Sequence, residues 1–194
     1  MSGSQNSARK AVESKVFTPG RINKLELRNR IIRAGCFEGM CYDEKPSRAL
    51  LEHHREVAAG GVGMTTISYC AVSRDGLGFG IEMWMRDEII PMLREITDAI
   101  HAEGAAASIQ LGHCGFFASP SVIQKRPIGP SVKFCLFRLS LCRAMHESDM
   151  ERIRNDFASA AAMAKSAGFD AVELHSGHGY LLSQFLSPWT NKRT

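Results

Sequence analysis

The sequence predicts a parallel α/β protein. Three observations carry that prediction: apolar residues recur at helical spacing in three segments, each of these segments stops at glycine, and each gives way to a short apolar or β-branched run. Parallel neighbours need a return connection of a dozen or more residues, and the helical segments supply it.

The elements follow in order. The opening MSGSQNSARKAV is Ser-rich, basic and without acid, so residues 1–15 read as a disordered tail and 16–194 as the folded part. VFTPGRINKLELRNRIIRAG alternates extended segments around a Pro-Gly turn, which predicts a hairpin leading into a first strand near residues 30–34. In SRALLEHHREVAAGG, Leu50, Leu51, His54, Val57 and Ala58 share one helical face, and Gly60 and Gly61 end it. VGMTTISYCAV follows as a buried second strand. RDEIIPMLREITDAIHAEG repeats the pattern with Ile89, Leu93, Ile96 and Ile100, stops at Gly104 and leads into the apolar run AAASIQLG. The connection from about Gly112 to His146 holds Pro120, Pro127 and Pro130 and reads as a loop able to cover a site. HESDMERIRNDFASAAAMAKSAG is the last helix, with Ser148 and Glu151 at capping-box spacing and Met150, Ile153, Phe157, Ala161 and Ala164 on one face. Gly168 ends it, and FDAVELHSG is the fourth strand.

Such a sheet closes in one of two ways, as a doubly wound sheet or as half of an eight-fold barrel. No G-x-G-x-x-G follows the first strand, and GGVG at Gly60 to Gly63 precedes a strand instead of leaving one, which counts against a dinucleotide-binding fold.

Composition narrows the function. With 44% hydrophobic and 23% charged residues, 194 residues make one well-buried globular domain. The net charge of +4, from 24 basic and 20 acidic residues, is spread along the chain without the basic and aromatic clusters of a nucleic-acid groove. No apolar run reaches the roughly 18 residues of a membrane span, so neither nucleic acid nor membrane is expected as a partner. Cys36, Cys41, Cys70, Cys114, Cys135 and Cys142 show no C-x-x-C pair or zinc spacing and read as reduced thiols of a cytoplasmic protein without a metal site.

In a parallel α/β protein the reactive groups gather at the C-terminal ends of the strands. Four stretches lie there: AGCFEGM, SYCAVS, QLGH and HSGHGY. In the last, His175 and His178 admit three readings. They are metal ligands lacking the helical H-E-x-x-H arrangement, or turn residues needing no partner, or paired N–H donors for one ligand oxygen. Under the third reading Tyr180 stands close by as a phenol still protonated at neutral pH, since its reference pKa is about 10. Two donors plus an acid are what polarising a carbonyl and protonating the adjacent carbon require. Gln110, a primary amide within an apolar run, must satisfy both its donor and its acceptor. A heterocycle with adjacent C=O and N–H groups would do this, and so would neighbouring backbone. Cys36, with no evident base beside it, reads as a buried inert thiol.

These residues lie in stretches that resemble a known family. FTPGRINKLELRNRIIRA, GGVGMTTISYCAVS, AEGAAASIQLGH and above all the long ungapped GFDAVELHSGHGYLLSQFLSPWTNKRT are similar to the N-terminal half of the old yellow enzyme family, in its NADH:flavin oxidoreductase branch. The resemblance implies a TIM (β/α)8 barrel, of which this chain carries the N-terminal portion, about four β/α units of eight, the family's pattern continuing beyond Thr194. It implies FMN as cofactor, NADH or NADPH as reductant, and reduction of the activated C=C bond of a small enone-type substrate. Ala34, Gly35 and Cys36 would line the flavin, Tyr69 would approach it by its backbone, and Gln110 would bond its pyrimidine side. His175 and His178 would bind the substrate oxygen and Tyr180 would donate the proton. Many relatives carry Cys or Thr at the position of Phe37. A half barrel also exposes strand edges, which suits pairing with a second copy, or a non-catalytic interaction module.

Overall fold

The computed structural model describes residues 14–194. The tail expected over residues 1–15 lies outside the described residues as far as residue 13, and Ser14 caps a 3-10 turn over Lys15–Phe17. Strands β1 (Gly20–Ile22) and β2 (Leu25–Leu27) form the expected antiparallel hairpin. The units that follow are β3 (Ile32–Arg33), helix α1 (Arg48–Ala59), β4 (Met64–Ala71), β5 (Met83–Trp84), α2 (Ile90–Ala102) and β6 (Ala106–Gly112).

Each helix starts and stops for local reasons. Ser47 caps α1, its Oγ accepting the N–H of Leu50 at 3.1 Å. Pro91 lies in the first turn of α2, where a missing N–H costs nothing. Gly104, at φ 76°, turns the chain out of α2 in the left-handed conformation that glycine adopts freely. Arg28 ties the C-terminal ends of both helices together: its guanidinium donates to the carbonyls of Ala58, Val62 and Glu103, where unpaired carbonyls attract a cation.

The connection after β6 is not a plain loop. It contains a one-turn helix α3 (Pro120–Ile123) and a small sheet of β7 (Ile128–Gly129), β8 (Lys133–Cys135) and β9 (Ser140–Ala144) in the order β7-β9-β8. Helix α4 (Glu147–Ser166) then begins earlier than the Ser148 and Glu151 spacing suggested. His146 is the N-cap and Asp149 closes the turn, its Oδ2 accepting the His146 N–H at 2.8 Å. Arg143 holds the same carboxylate with two bonds of 2.6 and 2.7 Å, and this fixes the start of the helix. Strand β10 (Ala171–Leu174) and helix α5 (Leu181–Leu186) end the fold.

The main sheet decides between the two closures. Its long path runs β10-β6-β4-β3, all parallel, so every strand lies beside its predecessor and the order never reverses. A doubly wound sheet would reverse and carry helices on both faces. Here α1, α2 and α4 share one core on one face, where Leu50, Leu93, Ile96, Ile100 and Ala164 meet Ile67, Ile109 and Leu111. The arrangement is that of consecutive units of a β/α barrel, in which a site forms at the C-terminal ends of the strands.

Replacing Leu93, fully buried at 0% exposure, by Ala should cost about 2–5 kcal/mol. The same change at Leu139, 77% exposed, should stay within about 0.5 kcal/mol. Urea denaturation of the two variants checks the contrast.

Candidate active site

The site grows out of an irregularity in β4. Ile67 pairs with Ile109 and Cys70 with Leu111, so three steps along β4 match two along β6. This bulge breaks strict alternation, and both Ser68 and Tyr69 face the cavity while Ile67 and Cys70 face the helices. The Tyr69 ring needs the space that Gly112 leaves on the next strand, where a Cβ would lie 2.3 Å from Tyr69 Cε2. Its hydroxyl donates to the Gly76 carbonyl at 2.9 Å.

On β6, Gln110 lies on the same inner face, 6% exposed. Its Oε1 accepts from Ser68 Oγ at 3.2 Å and its Nε2 donates to Glu173 Oε1 at 2.5 Å, so the amide is satisfied by side chains on the two flanking strands. Gly35 passes close to it, since a Cβ there would come 2.7 Å from Gln110 Nε2.

Beyond β10, His175 extends the strand by donating its N–H to the Leu111 carbonyl at 2.8 Å. The chain then turns through His178 and Gly179, both at positive φ (53° and 69°). Gln184, 1% exposed, holds that turn: its Nε2 donates to the carbonyls of Gly179 and Cys114, and its Oε1 accepts the Phe116 N–H at 3.2 Å. As a result His178 Nδ1 stands 3.2 Å from His175 Nε2, and the rings of His175, His178, Tyr180 and Tyr69 pack edge to face.

These groups share a cavity of about 450 Å³ with Gly35, Cys36, Phe37, Ser68, Phe79, Glu82 and Gln110. Of the residues expected at the site, Ala34 alone lies outside this lining, exposed at the end of the first strand. Cys36 is not the buried thiol expected of it: it is exposed and lines the cavity, because the chain after β3 leaves the sheet before any helix covers it. All six cysteines are free. Sequence reasoning missed Ser68, Phe79, Glu82, Glu173 and Gln184. For Glu82 and Gln184 the signal was a polar residue inside an apolar stretch, the same signal that marked Gln110.

Electrostatics favour neutral groups. Burial holds the His175 imidazole below its usual pKa, with His178 adding to the effect, and burial also pushes the Tyr180 phenol up. Elsewhere Glu38, His53 and His54 bring potential ligand atoms within 4.8 Å of one another. The Glu38 carboxylate is already taken by Arg33 Nη1 at 2.9 Å and the Ser68 N–H at 3.2 Å, so the cluster reads as a buried ion pair.

The sequence profile of the NADH:flavin oxidoreductase / NADH oxidase family matches residues 15–194. The chain belongs to that family. It is 42% identical over 178 residues to the 4,4'-dithiodibutanoate disulfide reductase of Rhodococcus erythropolis, covering 92% of this chain and 44% of the relative. Among solved structures, a 2-naphthoyl-CoA reductase superposes with a TM-score of 0.88 at 28% identity, over 93% of this chain and 30% of that one. The old yellow enzyme homologue of Zymomonas mobilis gives 0.85 at 26% identity, over 93% and 53%. The chain thus spans about half, or less, of the length of these family members. Among the described residues, no helix is long and apolar enough to cross a membrane.

His54, 0% exposed, is also held below its usual pKa by burial. For a histidine favoured neutral in the fold, the unfolded chain takes up the proton first, so stability falls as pH drops below about 6.5. NMR titration should place His54 and His175 below that value, and His54→Gln should flatten the loss of unfolding free energy between about pH 6.5 and 5.

Proposed function

We propose that this chain carries the flavin- and substrate-facing part of an FMN-dependent oxidoreductase that uses NADH or NADPH to reduce the activated C=C bond of small enone-type substrates. The convergence of His175, His178 and Tyr180 in one cavity with Gln110 and the Gly35–Cys36 backbone carries this reading.

The cavity's chemistry fits the ring end of FMN. Gln110 offers a donor and an acceptor side by side, as a pyrimidine edge requires, and exchanging its Glu173 bond for the ring leaves the carboxylate in reach of solvent at the exposed strand β10. Gly35 lets backbone approach where a side chain would collide. Cys36 and Tyr69 complete the wall, and Ala34, exposed and outside that lining, precedes Gly35 in the chain. Once bound, FMN supplies the hydride chemistry.

The protein's own groups act on the substrate. His178 Nδ1 and His175 Nε2 point at one another. A carbonyl oxygen about 3 Å from each nitrogen, to one side of the pair, replaces their mutual contact and accepts from both when each carries its hydrogen, and the two bonds strengthen as charge moves onto the oxygen. Tyr180 keeps its proton because burial disfavours the phenolate, so it can deliver that proton to the carbon beside the carbonyl.

A disulfide acceptor is a second reading, favoured by the name of the Rhodococcus relative. Two electrons and two protons would then convert one S–S bond to two thiols, with no carbonyl conjugated to the reducible bond for the histidine pair to polarise. The two readings separate on Tyr180.

The first check is an absorbance spectrum of the chain after incubation with FMN and desalting. A retained flavin band is expected, and its loss would sink the reading for this chain alone. In flavin-loaded protein, Tyr180→Phe should slow alkene reduction by about a hundredfold and leave flavin reduction by the nicotinamide within about threefold. Equal loss in both half-reactions would remove Tyr180 as the proton donor. Unimpaired reduction of a disulfide beside a slowed enone would show that the two acceptors use the pocket differently.

A further inference from the structure

Glu82 has no part in the chemistry described so far, yet its side chain lines the same cavity at 2% exposure. Its Oε2 accepts the N–H groups of Gly78 at 2.7 Å and Phe79 at 3.0 Å. Its Oε1 accepts no hydrogen bond, and the carboxyl has no ion-pair partner within 4.0 Å, among the described residues. Glu38 makes the contrast inside the same protein. Its side chain is equally buried at 2%, but Arg33 and a backbone N–H hold it as a structural ion pair. Arg138 comes near Glu82 without pairing to it: its Nη2 donates to the Gly78 carbonyl and its guanidinium lies 4.6 Å above the Phe79 ring. An unpaired carboxyl in the wall of a binding cavity is costly to keep and marks a functional position.

We propose that Glu82 is a specificity-determining residue whose free oxygen selects neutral or donor-bearing acceptors and turns away acceptors that carry a carboxylate. The inference rests on the reading that this cavity takes an enone-type electron acceptor, and is the opposite of what the disulfide reading asks, since 4,4'-dithiodibutanoate is a dicarboxylate. Below neutrality a protonated Glu82 tolerates an anion or donates to it; above neutrality its charge repels one.

The surrounding groups leave this titration visible. Burial pushes the Glu82 carboxyl up to about 7, against the pull of the Gly78 and Phe79 N–H groups and of Arg138. Burial likewise pushes the Cys41 and Cys114 thiols up to about 12 and raises Cys70, Tyr69 and Tyr180, so none of these ionises near neutrality. Cys36, His175 and His178 line the same cavity and are common to every variant compared.

The test uses the full chain loaded with FMN and two ligands of one shape, cinnamamide and cinnamate, the latter anionic across the range. Their dissociation constants are measured at pH 5.5 and 8.5 by calorimetry, without nicotinamide. In the unaltered protein the ratio of cinnamate to cinnamamide constants should rise about tenfold between the two pH values. In Glu82→Gln it should change by less than about twofold, because the carboxyl that repels the anion is gone. Glu82→Asp, which keeps the charge, should retain the rise and guards against misfolding of the amide variant. A flat ratio in the unaltered protein, or the same rise in Glu82→Gln, overturns the inference. If cinnamamide binds to none of the proteins, the cavity reading beneath it fails first.

Discussion

The one extra residue in β4 is the constraint on which the cavity depends. Without the shift between Ile67 and Cys70, strict alternation would place Ser68 inside and Tyr69 against the helices. With it, Ser68 reaches Gln110, and the Tyr69 ring stands over Gly112, where His175 and Tyr180 pack against its edges. The helix-facing core pays nothing for this, because Ile67 and Cys70 both remain at 0% exposure on the other face. A single irregularity thus serves two faces: it keeps the packing continuous outside and brings an aromatic floor to His175 and Tyr180 inside.

That dependence explains why the fold was more legible in the sequence than the site. The helices show because a buried stripe such as Ile89, Leu93, Ile96 and Ile100 repeats at a fixed period and ends at Gly104, so local pattern and tertiary burial agree. Strand order does not show in any local pattern, since doubly wound and barrel sheets use the same units; the shared helix-side core settles it. The bulge is equally silent, because MTTISYCA is buried at every position and gives no alternation to break. The helix start at His146 was misplaced for a related reason: Ser148 and Glu151 fit the local spacing, but Arg143 arrives from β9 to fix Asp149 instead.

The site residues divide along the same line. His175, His178, Tyr180 and Gln110 were legible because polar groups at strand ends or in apolar runs demand partners. Glu82 carried that same mark without showing its place in the cavity, and the exposure of Cys36 was not legible, since both are decided by where the loops after β4 and β3 fold back. Gln184 carried the mark too, but its role was hidden because its partners, Cys114, Phe116 and Gly179, are separated from it by up to seventy residues in one case. Its role is nonetheless central to the geometry, for it fixes the turn that aims His178 at His175.

The candidate site also sits where the sheet is least supported. The central strands bury Ile67 and Ile109 completely, whereas Val172 and Leu174 on β10 are 41% and 55% exposed. Strand β10 carries Glu173 and delivers His175, so this end of the cavity hangs on an edge strand held by its ladder to β6, by the Gln110–Glu173 bond and by Gln184. Local opening follows few buried contacts and exposed backbone, so this strand should open before β4 or β6 does. A site so placed gains from any ligand that bridges β6 and β10: binding across Gln110 and the histidine pair stabilises the edge by mass action as well as filling the cavity. Ligand affinity and the order of the last strand are therefore one linked equilibrium, and whatever covers the outer face of Val172 and Leu174 strengthens the grip on whatever lies inside.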